Sequence, residues 1–313
     1  MKKLIIATRG SKLALWQSNH IKDLLEKAHD GLKVELKIFK TQGDKILDTP
    51  LALIGGKGLF TKELEEAMLR GEAHISVNSL KDMPFLIPDG LKLSAITERE
   101  DVRDTILSEK FENINSLPHG AKIGTTSLRR SMQLLALRPD LEIAQLRGNV
   151  DSRIEKLKNG EFDAIILASA GINRLGLENS VTYIYNIPVS DMIPSMGQGA
   201  LGIETILDDE VLKIVEILND EISEIETTIE RDFVGKLEGS CTVPIGVNAT
   251  YLDNGIVITK AIVGTPDGKE LLRDTIIGKK DDFREIGKKL ANRMIEAGAL
   301  EILEQATQII ETK

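Results

Sequence analysis

The chain holds one cysteine, Cys241, in the stretch LEGSCTVPIG from 237 to 246. A thiolate is a strong nucleophile toward an electrophilic carbon, and no histidine stands beside this one in sequence to act as its base. The plainer reading is a buried structural thiol. A second set of residues is cationic. Arg9 follows the apolar run LIIAT, and Lys81 comes just beyond HISV. Arg129 and Arg130 follow KIGT and Ser127, Arg147 follows LEIAQL, and Arg174 lies shortly after AIILA. The planar fork of arginine binds carboxylates and phosphates bidentately. Gathered at one edge, these cations would hold a ligand with several acidic groups; taken singly, each reads equally well as a surface ion pair. Asp82, in NSLKDMP, stands alone among them. A negative charge there opposes anion binding. It is either a partner for Lys81 or an arginine, or it faces positive charge that develops on a substrate.

Elements must bring these residues together, and the pattern supplies them. KLIIAT reads as a buried strand. SKLALWQSNHIKDLLEKA reads as a helix with Leu13, Trp16, His20, Leu24 and Ala28 near a 3.6-residue period. LKVELKIF, AHISV, LKLSAI, AKIGT, LEIAQL and DAIILA read as strands. FTKELEEAMLRG, SLRRSMQLLALR and about 150 to 159 read as helices, with Ser127 as an N-cap. Pro84 biases Met83 away from helix, which predicts Asp82 in an extended loop. Arg147 is predicted to end its strand, with Gly148 turning the chain. The β-α alternation implies mainly parallel sheets covered by helices. In such sheets ligands bind outside the carboxyl ends of the strands, where helix N-termini add N–H donors.

The last hundred residues differ. A helix with Ile222, Ile225, Ile229 and Phe233 on one face leads into the Cys241 loop. Three strand-like runs follow, VPIGVNATYL, GIVITKAIVG and ELLRDTIIG, and a helix from about 281 to 297 closes the segment. This order suggests a separate α+β domain. TEREDVRD, 97 to 104, is a candidate hinge. The stretch from about 46 to 60, with Gly55, Gly56 and Gly58, is a candidate lid.

Composition narrows the function. Hydrophobic residues are 42% and charged residues 28% of 313, an ordinary globular balance with length for two or three domains. A net charge of −9 argues against general nucleic-acid binding, and 4% aromatic content argues against base stacking. One cysteine excludes an internal disulfide. With His20, His29, His74 and His119 it makes no metal-ligand spacing, so no metal is expected. The apolar run of MKKLIIATRG is too short for an export signal, and nothing approaches a membrane span. The expectation is a soluble cytoplasmic protein. GQGALG, 197 to 202, matches G-x-G-x-x-G, but Pro194 precedes it and a strand-like run follows, so a glycine-rich connection is the better reading. GGKGLFTK, 55 to 62, misses the phosphate-loop pattern because Leu51 stands where its first glycine belongs.

Eight motifs in order carry a resemblance: IATRGSKLALWQ, GDKILDTPLALIGGKGLFTKELE, NSLKDMP, GTTSLRR, LRGNVDSR, DAIILASAGINRLG, MGQGALGIE and LEGSCTVPIG. Over essentially the whole chain the sequence resembles the porphobilinogen deaminase family. The resemblance implies an α/β fold of three domains, two lobes like those of periplasmic binding proteins and a smaller C-terminal α+β domain carrying Cys241. The boundaries expected are 1–97 with 198–216, 98–197, and 217–313. It implies a deaminating transferase that joins four porphobilinogens head to tail on a dipyrromethane cofactor held through a thioether to Cys241. It implies Asp82 as the catalytic aspartate. It implies Arg9, Ser11, Lys81, Ser127, Arg129, Arg130, Arg147, Arg153 and Arg174 as binders of cofactor or substrate carboxylates. The partner expected is the small-molecule substrate, with no nucleic acid or membrane, and the chain is expected to be a monomer. The sequence departs from the family pattern at Gly10, Asn78, Leu80, Ser240 and Thr242, with Asn78 standing where histidine is common. A non-catalytic anion-binding protein of the same two-lobe fold is the rival reading, but it leaves Cys241 unexplained. A metabolite-sensing regulator is a weaker one, since no DNA-binding helix pair is evident.

Overall fold

Strand β1 (Lys3–Arg9) is an interior strand of the first sheet, and its composition says why. Leu4 and Ile6 pack into one apolar cluster and Ala7 into another on the opposite face. A strand covered on both faces reads as a continuous apolar run. The computed structural model describes residues 1–45, 58–237 and 243–311; residues 46 to 57 of the candidate lid and the Cys241 loop, 238 to 242, lie outside the described residues.

After β1 come α1 (Lys12–Ala28), β2 (Lys33–Phe39), the short α2 (Gln42–Lys45), α3 (Lys62–Leu69), β3 (Ile75–Ser79) and β4 (Leu91–Ile96). The chain then builds β5 (Asp104–Ser108), β6 (Lys122–Gly124), α4 (Leu128–Leu137), β7 (Glu142–Ala144), α5 (Val150–Lys158), β8 (Ala164–Ala168), α6 (Ser169–Leu175) and β9 (Tyr183–Asn186). It returns through β10 (Leu201–Ile206), α7 (Asp209–Val215) and α8 (Glu221–Lys236). It ends with β11 (Ile245–Leu252), β12 (Ile256–Gly264), β13 (Leu271–Lys279), α9 (Phe283–Glu296) and α10 (Ala299–Glu311).

The first sheet has the order β2-β1-β3-β10-β4 and the second β7-β6-β8-β5-β9. The two follow one plan. β1 runs parallel to β2 and β3, as β6 does to β7 and β8. A fourth strand, β10 or β5, is inserted antiparallel to both its neighbours. The third sheet is an antiparallel meander, β11-β12-β13. Its core joins Val247, Ala261 and Val263 to Phe233 of α8, Leu290 and Met294 of α9 and Leu303 of α10. Gly287 lets α9 lie close on α8, because a Cβ there would strike the Ile229 carbonyl. The fold is therefore mixed α/β with a smaller C-terminal domain built on an antiparallel sheet. Among the described residues one compact unit falls within Met1–Leu47, Lys57–Glu100 and Gly199–Glu224, the other within Asp101–Gln198 and Ile225–Lys313. No described helix is long and apolar enough to cross a membrane.

Several expectations need correction. α1 buries Ala14, Gln17, Ser18, Ile21 and Leu25, one step around from the predicted face, while Trp16 and Leu24 are 37% and 40% exposed. On α8, Ile225, Ile229 and Phe233 are buried but Ile222 is exposed. Two helices, not one, follow β13. β5 starts at Asp104, the last residue of the expected hinge, and neither β5 nor β9 was expected.

Candidate active site

The site in the first unit is built at the carboxyl ends of β1 and β3. Arg9 is the last residue of β1. Its guanidinium carbon lies 4.3 Å from the centroid of the Phe60 ring, a cation–π contact. Ser11 caps α1, its Oγ accepting from the Ala14 N–H at 3.3 Å. Beyond β3 the chain makes one 3-10 turn, Leu80–Asp82, before Met83 returns to extended geometry. This corrects the extended loop expected for Asp82. Pro84 restrains only the residue before it, and the turn is held by burial. Leu80 is fully buried and donates its N–H to the Ala200 carbonyl at 3.0 Å. Gly202 of β10 makes the room, because a Cβ there would strike Met83 and crowd Leu80. Two buried anchors, Leu80 and Met83, thus leave exposed Asp82 between them.

Arg9, Ser11 and Asp82 line one pocket with Leu13, Ala14, Gln17, Phe60, Val77, Asn78 and Ser79. Gln17 Nε2 donates to Ser79 Oγ at 2.8 Å. Asn78 Nδ2 donates to Ser76 Oγ at 3.0 Å, and Ser76 Oγ to Glu204 Oε2 at 3.2 Å. Donors on β1 and α1, Arg9 and Ser11, therefore share a pocket with an acceptor just beyond β3, Asp82. Lys81 is half-buried in the same turn.

In the second unit the arginines sort into two kinds. Ser127 caps α4, accepting from the Arg130 N–H at 3.4 Å. Arg129 and Arg130 are 5% and 7% exposed and share the fully buried Asp104 at the start of β5. Arg129 Nη1 reaches Asp104 Oδ2 at 2.6 Å and Arg130 Nη2 reaches Oδ1 at 2.7 Å. Arg129 also donates to the Ile193 carbonyl and Arg130 to the Ile166 carbonyl, each at 2.9 Å. Gln198 Nε2 adds a bond to Asp104 Oδ1 at 3.2 Å. One buried carboxylate thus pairs with two guanidiniums. Charges this buried persist only when paired and hydrogen-bonded.

Arg147, Arg153 and Arg174 are half-buried. Contrary to expectation, Arg147 does not end a strand, because β7 stops at Ala144. It lies in the loop before α5, where Lys156 Nζ donates to its carbonyl at 3.3 Å. Gly148 has φ of 116°, and a Cβ there would strike Ser152 Oγ, so the turn requires glycine. Arg153 Nε donates to the Gly148 carbonyl at 2.8 Å and braces that turn. Arg174 sits in the last turn of α6. Cys241 lies outside the described residues. Sequence reasoning missed Gln17, Ser79, Asp104, Gln198 and Glu204. The polar residues of α1 and β3 were visible only as breaks in apolar runs, and Asp104 only as one more charge in a charged stretch.

Residues 4–214 match the family model described as porphobilinogen deaminase, dipyromethane cofactor binding domain, and residues 225–296 match the C-terminal domain of the same family. A porphobilinogen deaminase of Sulfurimonas denitrificans is 61% identical over 313 residues, with 100% of both chains covered. One from Nitratiruptor is 64% identical over 304 residues, 97% of both chains. Among solved structures, a TRAP periplasmic solute binding protein from Desulfovibrio salexigens gives a TM-score of 0.43 at 15% identity, over 71% of this chain and 73% of that one.

Proposed function

The chain belongs to the porphobilinogen deaminase family, and from that premise we propose which of its residues perform the family's reaction. It is a deaminating transferase of tetrapyrrole biosynthesis. Four porphobilinogens are joined head to tail. In each addition a C–C bond forms from the aminomethyl carbon, its C–N bond breaks, and ammonia leaves; hydrolysis then releases hydroxymethylbilane. The cofactor is dipyrromethane, which when bound supplies the free pyrrole carbon from which the chain grows.

The donor set fits such a group. Its pyrroles carry acetate and propionate side chains and ring N–H donors, so it needs cations and an acceptor together. Arg9, Ser11 and Asp82 around one pocket are the observation that carries the reading. Arg9 and Ser11 bind carboxylates with charge-assisted and hydroxyl bonds. Asp82 accepts from pyrrole N–H and stabilises the cation formed as ammonia leaves. Lys81, Ser127, Arg147, Arg153 and Arg174 hold further carboxylates. Arg129 and Arg130 do so as well; the Arg129 Nε has no bond among the described residues and is free to donate. Cys241 carries the cofactor as a thioether.

The three-domain division at 1–97 with 198–216, 98–197, and 217–313 belongs to this proposal and is supported by the three separate sheets. So do a monomeric, cytoplasmic enzyme and a small-molecule partner without nucleic acid or membrane. The test is direct. Purified protein is expected to release ammonia from porphobilinogen and to exceed its chain mass by two pyrrole units. Cys241→Ser is expected to return it to chain mass. An active enzyme at bare chain mass would refute the attachment.

A further inference from the structure

One polar side chain in the pocket beside Asp82 has no task in this assignment. Asn78 is 7% exposed, yet among the described residues its side chain makes one hydrogen bond, from Nδ2 to Ser76 Oγ. Ser76 in turn bonds to Glu204, its register partner across the antiparallel β3–β10 ladder. Both Ser76 and Glu204 are fully buried. Donor and acceptor chemistry sets the sense of this chain. Ser76 Oγ donates to Glu204 Oε2, which commits its only hydroxyl hydrogen there. Toward Asn78 the hydroxyl oxygen can then only accept, and the amide must present its NH2 to Ser76. The carbonyl oxygen Oδ1 is left for the pocket that Asn78 lines with Asp82.

We propose that Asn78 is a further substrate-contacting residue, its Oδ1 accepting a hydrogen bond from an N–H donor of the incoming pyrrole, and that Ser76 and Glu204 are positioning residues that hold the amide in this sense. The inference rests on the functional reading above, since porphobilinogen brings the donors: a ring N–H and an aminomethyl nitrogen. Asp82 and Asn78 then form a pair of acceptors, one charged and one neutral, on one strand and the turn that follows it. Arg9 and Ser11 supply donors from β1 and α1. A ligand with carboxylates at one side and N–H groups at the other is read in one orientation. A reversed amide would set N–H against N–H, which loses the bond and leaves a desolvated donor unmet.

The sense of the chain can be reversed by mutation. Glu204→Gln keeps the shape but can donate to Ser76, which frees Ser76 to donate to Asn78 and lets the amide turn over. In the full-length, cofactor-loaded enzyme it is expected to raise KM for porphobilinogen about tenfold, the cost of one unmade bond. Ser76→Ala, which cuts the chain without changing charge, is expected to act in the same direction. Asn78→Asp alone sets two carboxylates on one hydroxyl hydrogen and is expected to raise KM as well. Combined with Glu204→Gln, Asn78→Asp restores a fully bonded chain of opposite sense that again offers an oxygen to the pocket, and KM is expected to return close to wild type. A second readout avoids turnover. Calorimetry with a pyrrole bearing acetate and propionate but no aminomethyl group is compared with its N-methyl counterpart. Wild type is expected to prefer the N–H form; Glu204→Gln and Ser76→Ala are expected to lose much of that preference, and the double variant to regain it. Single variants with wild-type KM and wild-type N–H preference overturn the inference, as does a double variant no better than either single one. A wild-type chain that releases no ammonia from porphobilinogen instead overturns the functional reading.

Discussion

Asp82 could be picked out of the sequence by its company, because a carboxylate amid cations needs a reason. The structure adds the means, with buried Leu80 and Met83 on either side of it. If it stabilises a cation formed only as ammonia leaves, its effect belongs to the transition state. Asp82→Asn keeps size and hydrogen bonding but removes the charge. It is expected to lower kcat by about 10²–10³ with a smaller change in KM, and Asp82→Glu to retain more activity. Steady-state kinetics on variants whose mass shows the cofactor check this; a loaded Asp82→Asn enzyme of normal turnover would show the assignment wrong. Asp104 is the opposite case. Nothing in TEREDVRD marks one carboxylate as special, yet it sits between the buried Arg129 and Arg130. Asp104→Ala strips two buried guanidiniums of their counter-charge and is expected to cost about 3–5 kcal/mol of stability, read from denaturant titration. Arg130→Leu still leaves Asp104 paired with Arg129 and is expected to cost less.

Elements were legible where periodicity and burial agree, and misread where polar side chains are buried. In α1 the apolar spacing of Leu13, Trp16, His20 and Leu24 suggested the core face. The sheet instead covers Gln17 and Ser18, whose polar atoms are met by Ser79 Oγ at 2.8 Å and Thr8 Oγ1 at 2.7 Å. Hydropathy counts such residues as surface, since it cannot see partners from other elements. The outer stripe satisfies itself in part by stacking Trp16 on His20, centroids 5.0 Å apart. Ile21 is fully buried and Leu24 is not, so Ile21→Ala is expected to cost about 2–5 kcal/mol and Leu24→Ala no more than about 0.5 kcal/mol. Equal losses on thermal or chemical unfolding would restore the face read from the sequence. β5 was missed because it opens on the last residue of the charged TEREDVRD stretch, and β9 because its four residues are all half-buried and show no alternation.

At the scale of the molecule, one histidine ties stability to pH. His74 Nδ1 accepts the Ile5 N–H at 2.9 Å, stitching the start of β3 to β1. Burial pushes the His74 imidazole below its usual range, an effect opposed by Asp208 and aided by Lys3. The unfolded chain therefore takes up this proton first. The contribution is whole above about pH 6.5 and is lost as pH falls through the lowered folded-state value. Melting temperature is expected to drop across that window, and His74→Gln, which keeps an acceptor but cannot titrate, to flatten the drop; an unchanged slope in the variant would sink the idea. The sequence by itself determined the α/β alternation, the three C-terminal strands, the cap at Ser127 and the turn at Gly148, because each rests on side-chain periodicity or on a local backbone requirement. It also determined the family, since ordered motifs survive without any knowledge of contacts. Only the tertiary structure decided which face of α1 is core, that β5 and β10 enter their sheets antiparallel, that Asp104 holds Arg129 and Arg130, and that Glu204 orients Asn78 through Ser76. Those features depend on pairs up to 128 residues apart, and a pairing across that distance leaves no periodic trace in either partner's neighbourhood.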